Sequence, residues 1–417
     1  MADQRALGLA ARAYLAASPL IGLLAPMILR KRLRKGREDP LRWREKLGEP
    51  GLARPEGRLI WLHAVGIGEV MALRGFIAAL SRLDPQASFL ITSSARSSAQ
   101  VIAGNLPERT FHQYLPLDAP VFLARFLDHW RPSLSIWAEQ DLWPGAVLAC
   151  QKRGIPLALI NARMDAASFQ KRNKIKTLYA DLYAGFDLVS AQDPETASHL
   201  RQLGALAVQQ DGSLKSAAPA LNVDPAALAQ MQNALAGRRL WVAASTHAED
   251  EAVALAAQSR LWAQDPRWLL ILVPRLPARA GQIATALSTL RRSQGAMPGP
   301  QTAVYLADSF GELGLWYRLA PIALIGGSFG PVEGHNPWEA AALGAAILHG
   351  PRVAHFRADY AQLAAAKAAR QVTAEGLCDA LLDPELPGLA GRAMDLSRAA
   401  RDRLDPLARQ VLDLAHD

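Results

Sequence analysis

Cysteine is nearly absent. The 417 residues contain two, Cys150 and Cys378, with no short Cys-x-x-Cys spacing, which excludes a disulfide framework and a cysteine-based zinc site and fits a reducing cytosolic setting. Also missing are the H-E-x-x-H, P-loop and EF-hand patterns, so a metal-dependent mechanism has no sequence support. No short-period repeat or low-complexity tract occurs, and half of the residues are hydrophobic. Such a chain buries more than one core and forms about two domains. Negative charge is in deficit: 46 lysines and arginines stand against 38 aspartates and glutamates, a formal net charge of +8. That excess implies an anionic partner, which charge alone leaves open among nucleic acid, a membrane surface and an acidic or nucleotide-bearing substrate.

The N-terminal stretch ALGLAARAYLAASPLIGLLAPMIL (6 to 29) is apolar apart from Arg12 and runs directly into RKRLRKGR, residues 30 to 37. Its charge-free part, Ala13 to Leu29, lies at the lower edge of the roughly 17–25 residues a spanning helix needs, and Pro19 and Pro26 interrupt it. A cleaved signal peptide is disfavoured because the basic cluster follows the apolar run. The pattern predicts a helix inserted in or lying on the cytoplasmic leaflet, its lysines and arginines on anionic headgroups; the alternative is a buried N-terminal helix.

From Arg58 onward, short apolar runs alternate with amphipathic stretches, as parallel sheets built from βαβ units require. RLIWLHAV, ASFLITSS, SLSIWAE, PLALINA and DLVSAQ are the expected strands of a first sheet. After a Pro/Ala-rich linker, LKSAAPALNVDPAAL (214 to 228), the runs RLWVAAST, WLLILVPR, TAVYLA, IALIGGSF and AAILHG supply a second. The expected fold class is α/β, with two doubly wound domains facing a central cleft. Ligands of such domains bind at the carboxyl ends of strands, so residues just after strands are the ones to examine. The last segment, 387 to 417, has a helical pattern that suits packing back on either domain.

Glu69 follows RLIWLHAV through Gly66 and Gly68 and opens a helix. A carboxylate there complements the helix dipole, worth roughly 0.3–1 kcal/mol, or serves as a general base. It does not suit a dinucleotide fingerprint, because the third glycine is missing and a carboxylate repels a pyrophosphate. In GGSFGPVEGHNPWEAAALG (326 to 344) the spacing predicts a helix with Asn336 as N-cap, Pro337 at the first position and Glu339 at the third, a capping-box pattern. The same geometry offers free N–H groups to an anion, the glycines permit close approach, and Glu339 is placed to accept from ribose hydroxyls. Arg275 ends the run LLILVPR and reads as a phosphate clamp. Lys215 lies by the linker. Glu139 and Asp141 follow SLSIWA, either to orient a substrate or to cap the helix at Trp143–Pro144, and His247 follows VAAST.

These residues sit in a series that resembles the 3-deoxy-D-manno-octulosonic acid (Kdo) transferases, which glycosylate lipid A precursor in Gram-negative bacteria. WLHAVGIGEV, YLPLDAP, AEQDLWP, INAR, DGSLK, ASTHAEDE, LILVPR, DSFGELGLWY and EGHNPWEAAALG occur in the family's order along nearly the whole chain. The resemblance implies a GT-B glycosyltransferase with a membrane-associated segment (1–37), an acceptor-binding domain (38–220) and a CMP-sugar-binding domain (221–417). It implies metal-independent inverting transfer of Kdo from CMP-Kdo to a lipid A precursor, without cofactor or nucleic acid, at the cytoplasmic side of the inner membrane. Glu69 falls on the family's catalytic base, and Glu139 and Lys215 on positions that support the transition state. Pro274 and Arg275, then Phe310, Gly311 and Glu312, then Asn336, Pro337, Trp338 and Glu339 fall on CMP-holding segments. The chain departs from the family at PRLPAR for PRHPER, at EGHNPWEAA for GGHNPLEPA, which puts Glu333 near the presumed anion, and at EQDLWPG for ETELWPN. The competing readings are a transferase of another CMP-activated ulosonic acid or another membrane acceptor, and a non-catalytic nucleotide-binding membrane protein; retention of Glu69 with Arg275 and Asn336 argues against the last.

Overall fold

Apolar runs without a polar face, such as LIWLH and LLILV, demand cover on both sides, and parallel sheets wrapped by helices supply it. The computed structural model describes residues 7–415, apart from 95, 97, 98, 100, 101, 103–105, 140 and 218. It divides into two units, residues 1–217 with 400–417, and residues 218–399.

The first unit holds a seven-stranded sheet in the order β3-β2-β1-β4-β5-β6-β7. The strands are β1 (Leu59–His63), β2 (Ser88–Ser93), β3 (Thr110–Tyr114), β4 (Leu134–Ala138), β5 (Leu157–Ala162), β6 (Leu188–Ala191) and β7 (Val208–Gln210). All neighbours are parallel. Trp61, Phe126, Trp130 and Trp137 fill one face; Leu73, Phe76, Ile77 and Leu80 of the helix Ile67–Leu83 cover the other. On that second face the C-terminal helix Leu404–Asp413 adds Leu404, Leu407, Val411 and Leu412, and Arg82 pairs with Asp405. Of the final segment, residues 400–417 thus belong to the first unit and residues 387–399 to the second.

The second unit repeats the plan, in the order β10-β11-β9-β8-β12-β13-β14. Its strands are β8 (Arg239–Thr246), β9 (Trp268–Pro274), β10 (Leu290–Arg291), β11 (Val304–Leu306), β12 (Ile322–Ile325), β13 (Ala346–His349) and β14 (Ala369–Gln371), again all parallel. The ten expected strands are present. The four the sequence pattern omits, β3, β7, β10 and β14, are the outermost strands of the two sheets. Three of them run for only two or three residues, as edge strands do when they avoid templating further pairing.

The N-terminal apolar stretch forms the helices Leu9–Ala17 and Pro19–Arg34, bent by 43° at Ser18. The first is tied down by the Tyr14 hydroxyl, which donates to Asp118, and by Gly8 N–H, which donates to Asp181 at 2.8 Å. The second buries Ala25 and Leu29 against Leu47, Ala119 and Phe122. Its other side shows Leu20, Leu23, Leu24, Met27 and Ile28, each 49% to 76% exposed. Among the described residues no single helix is long and apolar enough to cross a membrane, although the bent pair reaches that length and composition together.

Candidate active site

In the first unit, Glu69, Glu139 and Lys215 come from three segments that all follow strands. Gly66 turns the chain out of β1, and Glu69, the third residue of the helix Ile67–Leu83, reaches back so that its Oε2 accepts from Val65 N–H at 2.9 Å and Gly66 N–H at 3.2 Å. That is the returning arm of a capping box whose N-cap is a glycine. Burial, and after it the negative charge of Glu139, raises the Glu69 carboxyl above the ordinary range; the two backbone donors oppose the rise and Asp141 adds to it.

Glu139 follows β4 directly and is buried, with its backbone in the left-handed region at φ 64°. Its Oε1 meets Lys215 Nζ at 3.0 Å and accepts from Asn161 Nδ2 at 3.4 Å. Neither Glu139 nor Asp141 caps the helix Pro144–Lys152. Asp118 does, accepting from Gly145 N–H at 2.8 Å and Ala146 N–H at 2.9 Å. Glu139 is thereby free of a capping duty.

Asn161, within the INAR motif but given no role on sequence grounds, joins this group. It is buried at a register shift in β5 with φ 53°. Its Oδ1 accepts from Leu214 N–H at 2.9 Å, which fixes the loop that carries Lys215, while Nδ2 holds Glu139. The signal available in the sequence was the residue type: asparagine tolerates left-handed backbone better than most non-glycine residues.

In the second unit, Pro274 is buried at the end of β9 and Arg275 is exposed just beyond it. Phe310 is 78% exposed beside Gly311, whose φ is 83°. Glu312 is held by Arg292 at 2.7 Å and by the Ser309 hydroxyl, and this pairing outweighs its burial so that the carboxyl lies below the ordinary range. Glu333 sits at φ 64° and pairs with Arg352.

The glycine-rich stretch differs from the expected anion cradle. Asp250, wholly buried, accepts from Gly327 N–H at 2.7 Å, from Ser328 and Phe329 N–H at 3.1 Å each, and from His247 N–H at 2.9 Å. The N–H groups of residues 327–329 are therefore engaged by a protein carboxylate. The helix that follows begins at Trp338 and runs only to Ala342, with Asn336 Oδ1 accepting from Trp338 N–H at 3.1 Å. The N-cap is thus Pro337 and not Asn336, Glu339 stands second and not third, and so short a helix carries little dipole. Pro337 is buried, and Trp338 is a core side chain whose Nε1–H donates to Asp359 at 2.7 Å, so neither presents a side chain to a ligand. Glu339 is densely surrounded while keeping some exposure. Burial raises its carboxyl, against the nearby Arg275 charge and the Asn336 side chain.

The same segments match known proteins. Residues 41–218 match the family model for 3-deoxy-D-manno-octulosonic-acid transferase (kdotransferase). A probable mitochondrial 3-deoxy-D-manno-octulosonic acid transferase of Arabidopsis thaliana is 36% identical over 353 residues, covering 81% of this chain and 78% of the relative. The chain belongs to the Kdo transferase family. The Bordetella pertussis 3-deoxy-D-manno-octulosonic acid transferase is 32% identical over 401 residues, covering 91% of this chain and 92% of that one. In fold, this Kdo transferase family member is similar to a UDP-GlcNAc 2-epimerase of Neisseria meningitidis bound to UDP-GlcNAc, with a TM-score of 0.55 and 13% identity over 86% of this chain and 99% of the other. The fold class is GT-B, and the activity is that of a glycosyltransferase moving Kdo.

The Asp250 carboxylate has a measurable consequence. Replacing it by alanine strands buried N–H donors, each of which costs about 1–3 kcal/mol when unsatisfied. Asp250→Ala is expected to lose at least about 3 kcal/mol in urea unfolding, with amide exchange accelerated first at residues 327–329; wild-type stability in the variant would show that the loop does not depend on this anion.

Proposed function

We propose that the chain transfers Kdo from CMP-Kdo to a sugar hydroxyl of a lipid A precursor, with Glu69 as the base. The observation that carries this reading is the group formed by Glu69, Glu139 and Lys215. A carboxyl that is pushed up by burial and a neighbouring carboxylate, yet still accepts two N–H donors, is suited to take a proton near neutral pH. As the acceptor oxygen attacks the anomeric carbon, its proton passes to Glu69, and inversion follows because nucleophile and leaving phosphate occupy opposite faces of that carbon. Glu139 and Lys215 act as one ion-paired unit: the ammonium stabilises negative charge, and Asn161 keeps the pair in register. On the donor side, Arg275 meets the phosphate, Phe310 offers an exposed ring, and Asn336 and Glu339 contact the nucleoside.

The N-terminal helix supports the acceptor class. Leu20, Leu23, Leu24, Met27 and Ile28 recur at helical spacing on one exposed side, with Lys31, Arg34 and Lys35 following. A helix of an ordinary globular surface turns such a stripe inward. One that turns it outward beside a basic end suits an anionic bilayer surface, here the cytoplasmic face of the inner membrane, where a phosphorylated glycolipid resides.

The deciding experiment is transfer from CMP-Kdo to tetraacylated lipid A precursor. Glu69→Gln is expected to lose about 10²–10⁴-fold in kcat while CMP still binds. In the wild type, kcat/KM should fall with decreasing pH at a value above the ordinary carboxylate range, since the base works deprotonated. Removing the like charge with Glu139→Gln should move that acidic limb to lower pH; a limb that stays in place would break the link between the two acids. Separately, Leu23→Glu with Met27→Glu, both at exposed positions, should release the folded protein from anionic vesicles in a flotation assay. Unchanged flotation would contradict the anchor.

A further inference from the structure

The donor side presents a charge problem. Asp250 engages the N–H groups of residues 327–329, and the helix after Pro337 is short, so the chain must meet a phosphate mainly with side chains. Beyond Arg275, two histidines are placed to contribute. His247 directly follows β8, and His335 lies in the loop after β12; their Nε2 atoms are 3.0 Å apart and their rings lie within 19° of parallel. Two bare lone pairs or two N–H groups cannot face each other at that distance, so a single proton lies between the rings.

The surroundings hold this contact in place. Asp250 accepts from His247 N–H at 2.9 Å, and Tyr360 donates to the His335 carbonyl at 3.1 Å. A Cβ at Gly327 would come within 3.0 Å of the His335 ring, so glycine makes the space the ring occupies. The charged and titratable groups around the pair are Arg275 at the end of β9, His355 from the turn Ala354–Phe356, Asp250 under the His247 backbone and Glu249, whose carboxylate lies against Gly330. Burial first, then Arg275, His247 and His355, holds His335 down to about 4. An anion arriving beside Arg275 offsets that repulsion.

We propose that His247 and His335 form a proton-holding pair of the donor site, which takes one proton from solvent when a phosphate or carboxylate anion binds beside Arg275 and presents an imidazolium N–H to it. This rests on the reading of the second unit as the CMP-Kdo site. During transfer, the bond between the anomeric carbon and the CMP phosphate oxygen breaks and its electron pair goes to that oxygen. The imidazolium stabilises the resulting dianion by hydrogen bonding, the acceptor's proton goes to Glu69, and the pair returns its own proton to solvent when CMP leaves.

The test is calorimetric titration of the full chain with CMP, in two buffers of different ionisation enthalpy at each pH. Wild type is compared with His247→Gln and His335→Gln, in which an amide keeps the hydrogen bond and cannot titrate. The phosphate of CMP titrates alike in all three and cancels in the comparison. A histidine rising from about 4 to its ordinary value near 6.5 strengthens binding as pH falls through that window. Wild type should therefore gain about tenfold in CMP affinity between pH 7.5 and 5.5 relative to either variant, with net proton uptake at the lower pH that the variants lack. Thermal unfolding confirms that each variant is folded, and either one alone suffices. Equal proton counts and equal pH dependence in wild type and variants would overturn the pair. Failure of wild type to bind CMP at any pH would instead overturn the donor-site reading, and the pair with it.

Discussion

A parallel strand covered on both faces has no place along its length for an unpaired charge, so polar chemistry collects where the strand stops. Both sheets obey this constraint. β1, β4 and β9 are buried at every residue, and the charged residues that follow them are Glu69, Glu139 and Arg275. His247 comes immediately after β8 in the same way. The site residues are thus spread through the chain yet gathered by the sheets at the ends of neighbouring strands. β1 lies beside β4, and β8 beside β9, which is why two acids separated by 70 positions influence one another's protonation.

In the first unit this crowding does chemical work. Two carboxylates in a partly desolvated corner repel, and repulsion alone would leave one protonated. Lys215 compensates Glu139, whereas Glu69, among the described residues, accepts from the backbone N–H groups of Val65 and Gly66. The asymmetry separates their roles. On the proposed reading the acid paired with a lysine supports the charge of the transition state, while Glu69, raised by burial and by the Glu139 charge, carries the proton. The capping function of Glu69 is compatible with this, because the two N–H groups orient the carboxylate without neutralising it. Left-handed backbone at both Glu139 and Asn161 is unfavourable by about 1–3 kcal/mol per residue and persists because the ion pair and the Leu214 contact over-determine the geometry.

Much of this was legible in the sequence, for a physical reason. The ten strands read from apolar runs are those the pattern describes best, and the four edge strands were not legible because a strand with one neighbour need not be apolar: β3 reads TFHQY and β7 reads VQQ. Glu69, Glu139 and Arg275 stood out as charges that abruptly follow such runs. Asn161 did not, because its significance lies in a backbone angle and in contacts with residues 22 and 53 positions away. The glycine-rich loop misled for a related reason. Glycines there signal close approach of another group, which at Gly327 is the His335 ring, and pattern alone does not reveal that its N–H is engaged by Asp250, 77 positions earlier.

On the proposed reading of the second unit as the donor site, the engagement of these N–H groups by Asp250 alters how an anion is met there. Backbone N–H groups attract a phosphate equally at every pH, and a helix terminus does the same. Once those donors are engaged internally, attraction rests on side chains, and side chains differ in kind. Arg275 is charged at all accessible pH values, so it gives constant attraction and also suppresses any second cation near it. On the proposed reading, the contact between His247 and His335 beside such an arginine gains its positive charge with the bound anion. The positive charge then appears with the ligand, and the empty site is spared the repulsion of two adjacent cations. A loop filled by Asp250 and a depressed His335 are, in this view, two sides of one arrangement: the carboxylate fixes the loop that holds the ring, and the ring supplies what the loop's engaged donors cannot.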